Sequence, residues 1–363
     1  MEYRRLGTSG TLVSNLSLGT MNFGTPETPE EEAFAQMDAF LDAGGNLLDT
    51  ADVYNGGVAE ETVGRWLAAR PREVTDRVVV ATKGRTRTGT DPNEAGTSRR
   101  HLDRALTTSL RRLGVDTVDL YQLHAWDPLT PIEETLSFLD SAVRAGKIRY
   151  VGLSNFTGWQ LQLAVSTAQA HGYPVPVTLQ AQYNLATRQT EWEMAAAALH
   201  NGLGILAWSP LASGFLTGKY QRGAQRPADT RAGQDHALYQ YTSSNYEHSD
   251  LTWDSVDALR KVAEDHGVTP AQAALSWVIN RPGVTSAIVG ARTLEQLAGN
   301  LTAADLRLDP DSVEALDTAS DPNPAPYPYG AFGSAQRDRT PNDPEALGAL
   351  IQEHADSGGP RQH

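Results

Sequence analysis

The sequence contains no cysteine, which removes disulfides, thiolate nucleophiles and thiolate metal ligands from consideration. Lysine is scarce as well: Lys83, Lys147, Lys219 and Lys261 are the only lysines among 30 basic residues. No run of about 18 apolar residues occurs, so no transmembrane helix is expected. The opening Met1-Glu2-Tyr3-Arg4-Arg5-Leu6-Gly7 lacks the apolar centre of a secretory leader. No basic run interrupts a formal charge of −14. Nucleic acid and membrane surfaces are therefore not expected as partners, because phosphate binding needs a concentrated cationic face. No G-x-G-x-x-G follows the first predicted strand or occurs elsewhere, which argues against an open dinucleotide-binding sheet. These absences point to a soluble, unprocessed, cytoplasmic protein that acts on a small molecule.

What is present is a strict alternation of short apolar strands and amphipathic helices. After a hairpin (Tyr3 to Leu6 and Leu12 to Ser14), strands are predicted at Leu16–Leu18, Asn46–Asp49, Val78–Thr82, Val118–Leu123, Ile148–Leu153, Val177–Ala181, Gly204–Trp208 and Thr285–Val289. The helices between them carry readable boundaries: Pro131 and Pro270 in first turns, and Gly114, Gly146 and Gly267 just past the last turns. The strands are largely β-branched, as expected when both faces are covered. Eight such units in 363 residues predict an α/β fold of the closed (β/α)₈ TIM-barrel type, with residues 1–320 as one barrel domain. Two stretches break the rhythm. Residues 217–250 read as a long loop after the seventh strand, of the kind that covers a barrel mouth. Residues 321–363, rich in Pro and Gly, read as a tail that either folds over the mouth or is disordered.

In this barrel type the C-terminal strand ends carry the chemistry. Here those ends read Gly19-Thr20, Asp49, Lys83, His124, Ser154-Asn155, Gln180, Trp208-Ser209 and Gly290 to Arg292. One polar strand end is unremarkable, since strand ends meet water; a consecutive set is not. Asp49 and Lys83 on adjacent strands are expected to form a partly buried ion pair. Tyr54, five residues beyond Asp49, is within reach of the ammonium. A cation beside a phenol favours the phenolate and would lower its pKa from about 10, making the phenol a proton donor. His124 is expected to bond the substrate oxygen and to orient or feed the proton.

The segments Asp49-Thr-Ala-Asp-Val-Tyr54, Ala81-Thr-Lys83, Leu123-His124, Val151-Gly-Leu-Ser-Asn-Phe156, Leu179-Gln-Ala-Gln-Tyr-Asn184, Ala207-Trp-Ser-Pro-Leu-Ala-Ser-Gly214 and Ile288-Val-Gly-Ala-Arg-Thr293 resemble those of the aldo-keto reductases, in order, from about residue 3 to about residue 319. The resemblance implies reduction of an aldehyde or ketone with NADPH, with Tyr54 as acid, Lys83 and Asp49 as its tuning pair and His124 as orienter. It implies that Ser154, Asn155 and Gln180 hold the nicotinamide carboxamide and that Trp208 stacks on its ring. Ser209, Pro210, Leu211, Gly214 and Lys219 would line the pyrophosphate. Gly290, Arg292, Gln296 and Asn300 would take the adenosine end, and Arg231 would clasp the cofactor. Gly19, Thr20, Met21 and Asp49 complete the cofactor set. An arginine at 292 pairs bidentately with a 2′-phosphate, which favours NADPH over NADH. Substrate contacts are expected from Phe23, Tyr54, His124 and Trp126, and no metal is expected.

Two other readings remain open on the sequence. The potassium-channel β subunits share the family's pattern, and a cofactor-sensing role with little turnover is the alternative function; they carry Asn where this chain has His124. Lys83 as a Schiff-base nucleophile would require an unpaired, desolvated amine, which Asp49 opposes. The sequence does not choose between monomer and homo-oligomer, nor among carbonyl substrates.

Overall fold

The computed structural model describes residues 1–337 except 225, 228, 229 and 234–236; of residues 231, 237–239 and 242 only the backbone is described. Two compact units divide at residue 320: Met1–Ser320, and a second that begins at Asp321. Within the second, the described residues include a helix at Ala331–Arg337.

Strands β1 (Tyr3–Arg5) and β2 (Leu12–Ser14) form an antiparallel hairpin. Eight further strands follow: β3 (Leu16–Gly19), β4 (Leu47–Asp49), β5 (Val79–Gly84), β6 (Val118–Leu123), β7 (Ile148–Ser154), β8 (Thr178–Gln182), β9 (Gly204–Trp208) and β10 (Val284–Val289). Each pairs in parallel with the next, and β10 returns to pair with β3, closing the barrel. The fold is the (β/α)₈ TIM barrel. Helix boundaries are fixed by local chemistry. Ser98 caps Arg99–Leu113, which Gly114 ends at φ 66°. A reciprocal capping box of Thr269 and Gln272 opens Pro270–Ile279, with Pro270 in the first turn where its missing N–H does no harm.

Side chains alternate along a strand, so every second residue faces the barrel axis. Leu47, Val79, Ala81, Leu120, Leu206 and Ile288 form one buried apolar cluster with Leu6 and Val13 of the hairpin. The hairpin also reaches the strand starts, where Arg4 donates to the carbonyl of Val284 at 2.9 Å. It therefore plugs the N-terminal end, and the opposite end is left for polar groups. The registers set that polar layer: Gly19 lies beside Asp49, Asp49 beside Ala81, Lys83 beside Gln122, and Ser154 beside Gln180.

The segment after β9 is more structured than the expected loop. It holds short turns at Ala212–Thr217 and Arg231–Gly233 and a helix at Ala237–Glu247. This helix escaped the sequence reading because its apolar residues show little helical periodicity. Tyr246, buried against Phe215, anchors it and accepts a hydrogen bond from Gln182 at the end of β8 at 2.5 Å. No helix among the described residues is long and apolar enough to cross a membrane.

Candidate active site

Lys83 and Asp49 face the axis from adjacent strands and are 0% and 2% exposed. The ammonium has three protons and three acceptors: Asp49 Oδ1 at 2.5 Å, the Thr50 carbonyl at 2.9 Å and the Tyr54 hydroxyl oxygen at 3.0 Å. Burial alone disfavours the ammonium, but Asp49 and Tyr54 outweigh it and leave the Lys83 pKa raised. A lysine so held is not the free amine a Schiff base needs. Asp49 is equally well supplied, since its Oδ2 accepts from Gln180 at 2.8 Å and Gln122 at 3.1 Å. Neither charge of the pair is left to face the low-dielectric interior alone.

Tyr54 opens a short turn (Tyr54–Gly57) directly above β4. Its position is set by Asn55, held at φ 50° and donating to the carbonyls of Met21 and Phe23, each at 2.9 Å. Because Lys83 donates to the phenol oxygen, the O–H proton is free to point elsewhere. The pKa differs from the simple expectation. Desolvation raises it and Lys83 offsets only part of that, so the phenol stays above its ordinary value. The His124 ring meets Tyr54 edge-on at 5.9 Å between centroids. Burial, then Lys83 and Arg85, depress its pKa to about 3. His124 is therefore a neutral imidazole at physiological pH and holds no imidazolium proton to feed. Its Nδ1 lies 3.3 Å from the Thr86 hydroxyl.

The remaining expected residues gather round the same strand ends. Thr20 is buried and donates to the Asp49 carbonyl, while Gly19 sits so close to β10 that a Cβ would lie 2.8 Å from Ile288. Asn155, at φ 55°, bridges β6, β7 and β9: its amide donates to the His124 carbonyl at 2.9 Å and the Ser154 hydroxyl at 3.1 Å, and its oxygen accepts from the Trp208 indole at 3.1 Å. Gln180 points its amide nitrogen at Asp49, so only its oxygen is left for another donor. Past β9 the backbone makes an unusual run of left-handed residues, Ser209 (φ 53°), Ala212 (φ 48°), Ser213 (φ 55°) and Gly214 (φ 93°), interrupted by Pro210 and Leu211. The Lys219 ammonium lies over this run, 2.9 Å from where a Gly214 Cβ would be.

Gly290 follows β10, and Arg292 lies just before the helix Leu294–Leu301, whose first turn holds Gln296 and whose last holds Asn300. Trp126 stands edge-on to Phe156 and Trp159, each at 5.4 Å. Two other expected residues stand apart from this account. Phe23 is 1% exposed and part of the core, and the Arg231 side chain lies outside the described residues. The sequence reading passed over Gln122, whose inward position two residues after Leu120 was available from strand alternation, and Trp159, 58% exposed on the helix after Phe156.

The model of the aldo/keto reductase family matches residues 15–321. The chain belongs to that family. It is 38% identical to the Bacillus subtilis (strain 168) protein named uncharacterized oxidoreductase YrpG, over 87% of this chain and 95% of that one. Identity is 37% to a probable voltage-gated potassium channel subunit beta of Oryza sativa subsp. japonica, over 89% of this chain and 98% of the other. It is 32% to versiconal hemiacetal acetate reductase of Aspergillus parasiticus, over 87% and 92% respectively. The family and its oxidoreductase members make this chain an aldo/keto reductase-type oxidoreductase.

The pairing at the barrel centre has a measurable consequence. Lys83→Met strands the Asp49 carboxylate, and a buried charge robbed of its partner costs about 3–5 kcal/mol. Adding Asp49→Asn removes the stranded charge. Denaturant unfolding of the two single variants and the double is expected to show the double destabilised by clearly less than the sum of the singles.

Proposed function

We propose that this aldo/keto reductase reduces an aldehyde or ketone with NADPH, with Tyr54 as the proton donor. The observation that carries the reading is the Tyr54 hydroxyl, whose oxygen accepts from a fully satisfied ammonium while its proton remains free for an incoming oxygen. Bound at the mouth, NADPH would supply a hydride to the carbonyl carbon. Negative charge then develops on the substrate oxygen, and Tyr54 delivers its proton there. A raised phenol pKa suits this direction of reaction. The phenol is fully protonated at neutral pH, an alkoxide is far more basic than a phenolate, and Lys83 at 3.0 Å stabilises the phenolate left behind. His124 acts as a neutral hydrogen-bond donor: with Thr86 at Nδ1, its Nε2–H is set to bond the same oxygen.

The residues present fit a dinucleotide. Left-handed non-glycine residues cost of order 1 kcal/mol each, and three of them clustered with Gly214 after β9 support a backbone shaped for the pyrophosphate, with Lys219 as its counter-charge. The N-terminus of Leu294–Leu301 beside Arg292 supports an anionic group there, which we assign to the 2′-phosphate. Ser154, Asn155 and the Gln180 oxygen remain for the carboxamide, with Trp208, tied to Asn155, as the stacking face. Trp126 and Trp159 form the apolar wall for substrate. We assign both cofactor and substrate to the unit Met1–Ser320. A cofactor-sensing role is the second reading, favoured by the 37% identity to a protein named as a channel subunit; a panel of carbonyl substrates with NADPH separates it from turnover.

Tyr54→Phe is expected to lower kcat by about 10²-fold or more, the range typical of general acid catalysis, while the dissociation constant for NADPH, read from tryptophan fluorescence, stays within about twofold of wild type. Undiminished turnover removes Tyr54 from the acid role. Arg292→Ala is expected to weaken NADPH by tenfold or more, about 1.4 kcal/mol, and NADH hardly at all. Equal losses contradict the 2′-phosphate assignment.

A further inference from the structure

Behind the Asp49–Lys83–Tyr54 cluster lies a second buried polar group. Asp52 is 2% exposed, and neither of its carboxyl oxygens has a hydrogen-bond partner among the described residues. Its backbone is pinned on both sides: its N–H donates to the Lys83 carbonyl at 3.1 Å, and its carbonyl accepts from Arg112 at 3.0 Å. These bonds fix the backbone of the turn that carries Tyr54, and the carboxyl group lies buried beneath it.

The charges facing it come from every element around it. Glu60, on the helix Val58–Ala68, is fully buried with one oxygen bonded to the Thr82 hydroxyl at 2.7 Å and the other to Arg112 at 3.2 Å. Arg112, on the helix Arg99–Leu113, is thus shared between Glu60 and the backbone of the turn. Tyr121, on β6, is fully buried, and its hydroxyl has no hydrogen-bond partner among the described residues. Lys83 on β5, Asp49 on β4 and Tyr54 stand on the side of the mouth, where Lys83 is already committed to three acceptors.

A bare carboxylate is not tolerated in such surroundings, because an unpaired buried charge neutralises itself by holding its proton. We propose that Asp52, two residues before Tyr54, holds its proton far longer than an exposed aspartate and that its charge state shifts how readily Tyr54 releases a proton, making it a positioning residue for the transfer. Burial first, then Glu60, raise the Asp52 pKa to about 7, with Arg112, the neighbouring Val53 backbone N–H and Lys83 opposing. A negative Asp52 in turn raises Tyr54. The inference rests on Tyr54 being the acid, but the protonation state of Asp52 is measurable without it.

The sign follows from linkage. An aspartate with a raised folded-state pKa binds its proton more tightly in the folded chain. The stability that proton contributes is therefore present below the unfolded value of about 4 and lost as the pH rises through about 7. Asp52→Asn, which fixes the neutral shape, should flatten that stretch of the stability profile. It should also move the alkaline limb of kcat/KM down by about one pH unit, the effect expected of removing a charge several ångströms away at an effective dielectric constant of about 20. NADPH affinity should be unchanged.

The wild-type protein gives an independent reading: carbon-13 titration of its aspartate carboxyls should find one that ionises near pH 7. An alkaline limb that superimposes on wild type, or an absence of any aspartate titrating above about pH 5, overturns the proposal. If Tyr54→Phe retains turnover while one aspartate still titrates late, it is the acid assignment that fails, and the coupling to Tyr54 fails with it.

Discussion

A buried ammonium with three protons and three acceptors is the constraint on which the rest of this mouth depends. The Lys83 ammonium is held in the barrel interior by Asp49, whose other oxygen is held by the amides of Gln122 and Gln180. Once those demands are met, one N–H of the ammonium remains, and Tyr54 receives it. The phenol is thus oriented by the same bond that stabilises its conjugate base. The stability requirement and the catalytic arrangement are one geometry seen from two sides.

The barrel makes this affordable by separating its ends. Leu6 and Val13 of the hairpin complete the apolar filling at the N-terminal side, while parallel register brings Asp49, Lys83, Gln122, Ser154 and Gln180 into neighbouring positions at the other. A one-residue slip in any of these strands would turn a polar group outward into the helix layer. The loops then inherit a fixed platform. Asn155 ties three strand ends together, and Tyr246 ties the helix Ala237–Glu247 to β8.

Much of this was legible in the residues. The eight strands and the ion pair followed from apolar runs that stop at charged ends, since a parallel barrel leaves few other places for a lone Lys or Asp. Gln122 was harder because it sits inside an apolar run, and only the alternation with Leu120 betrays it. Asp52 was hidden by its turn, where an acidic residue ordinarily faces water. The apolar residues of the helix Ala237–Glu247 are not spaced to announce its period, and Phe23, which looked like a rim aromatic, fills the core instead. The largest physical difference concerns Tyr54. Adjacency to a cation suggested a lowered pKa, but the desolvation of the half-buried phenol is the greater effect, and sequence carries no direct measure of burial depth.

That difference shapes the chemistry. A phenol made acidic by its neighbour would be partly ionised before substrate arrives, whereas a phenol held neutral by burial donates only when charge appears on the substrate oxygen. The two cases separate in an ultraviolet titration of the free protein, taken as the difference between wild type and the Tyr54→Phe variant. The account predicts no tyrosinate signal from Tyr54 until the pH exceeds the ordinary phenol value of about 10. A Tyr54 signal that ionises below about pH 9 would contradict it.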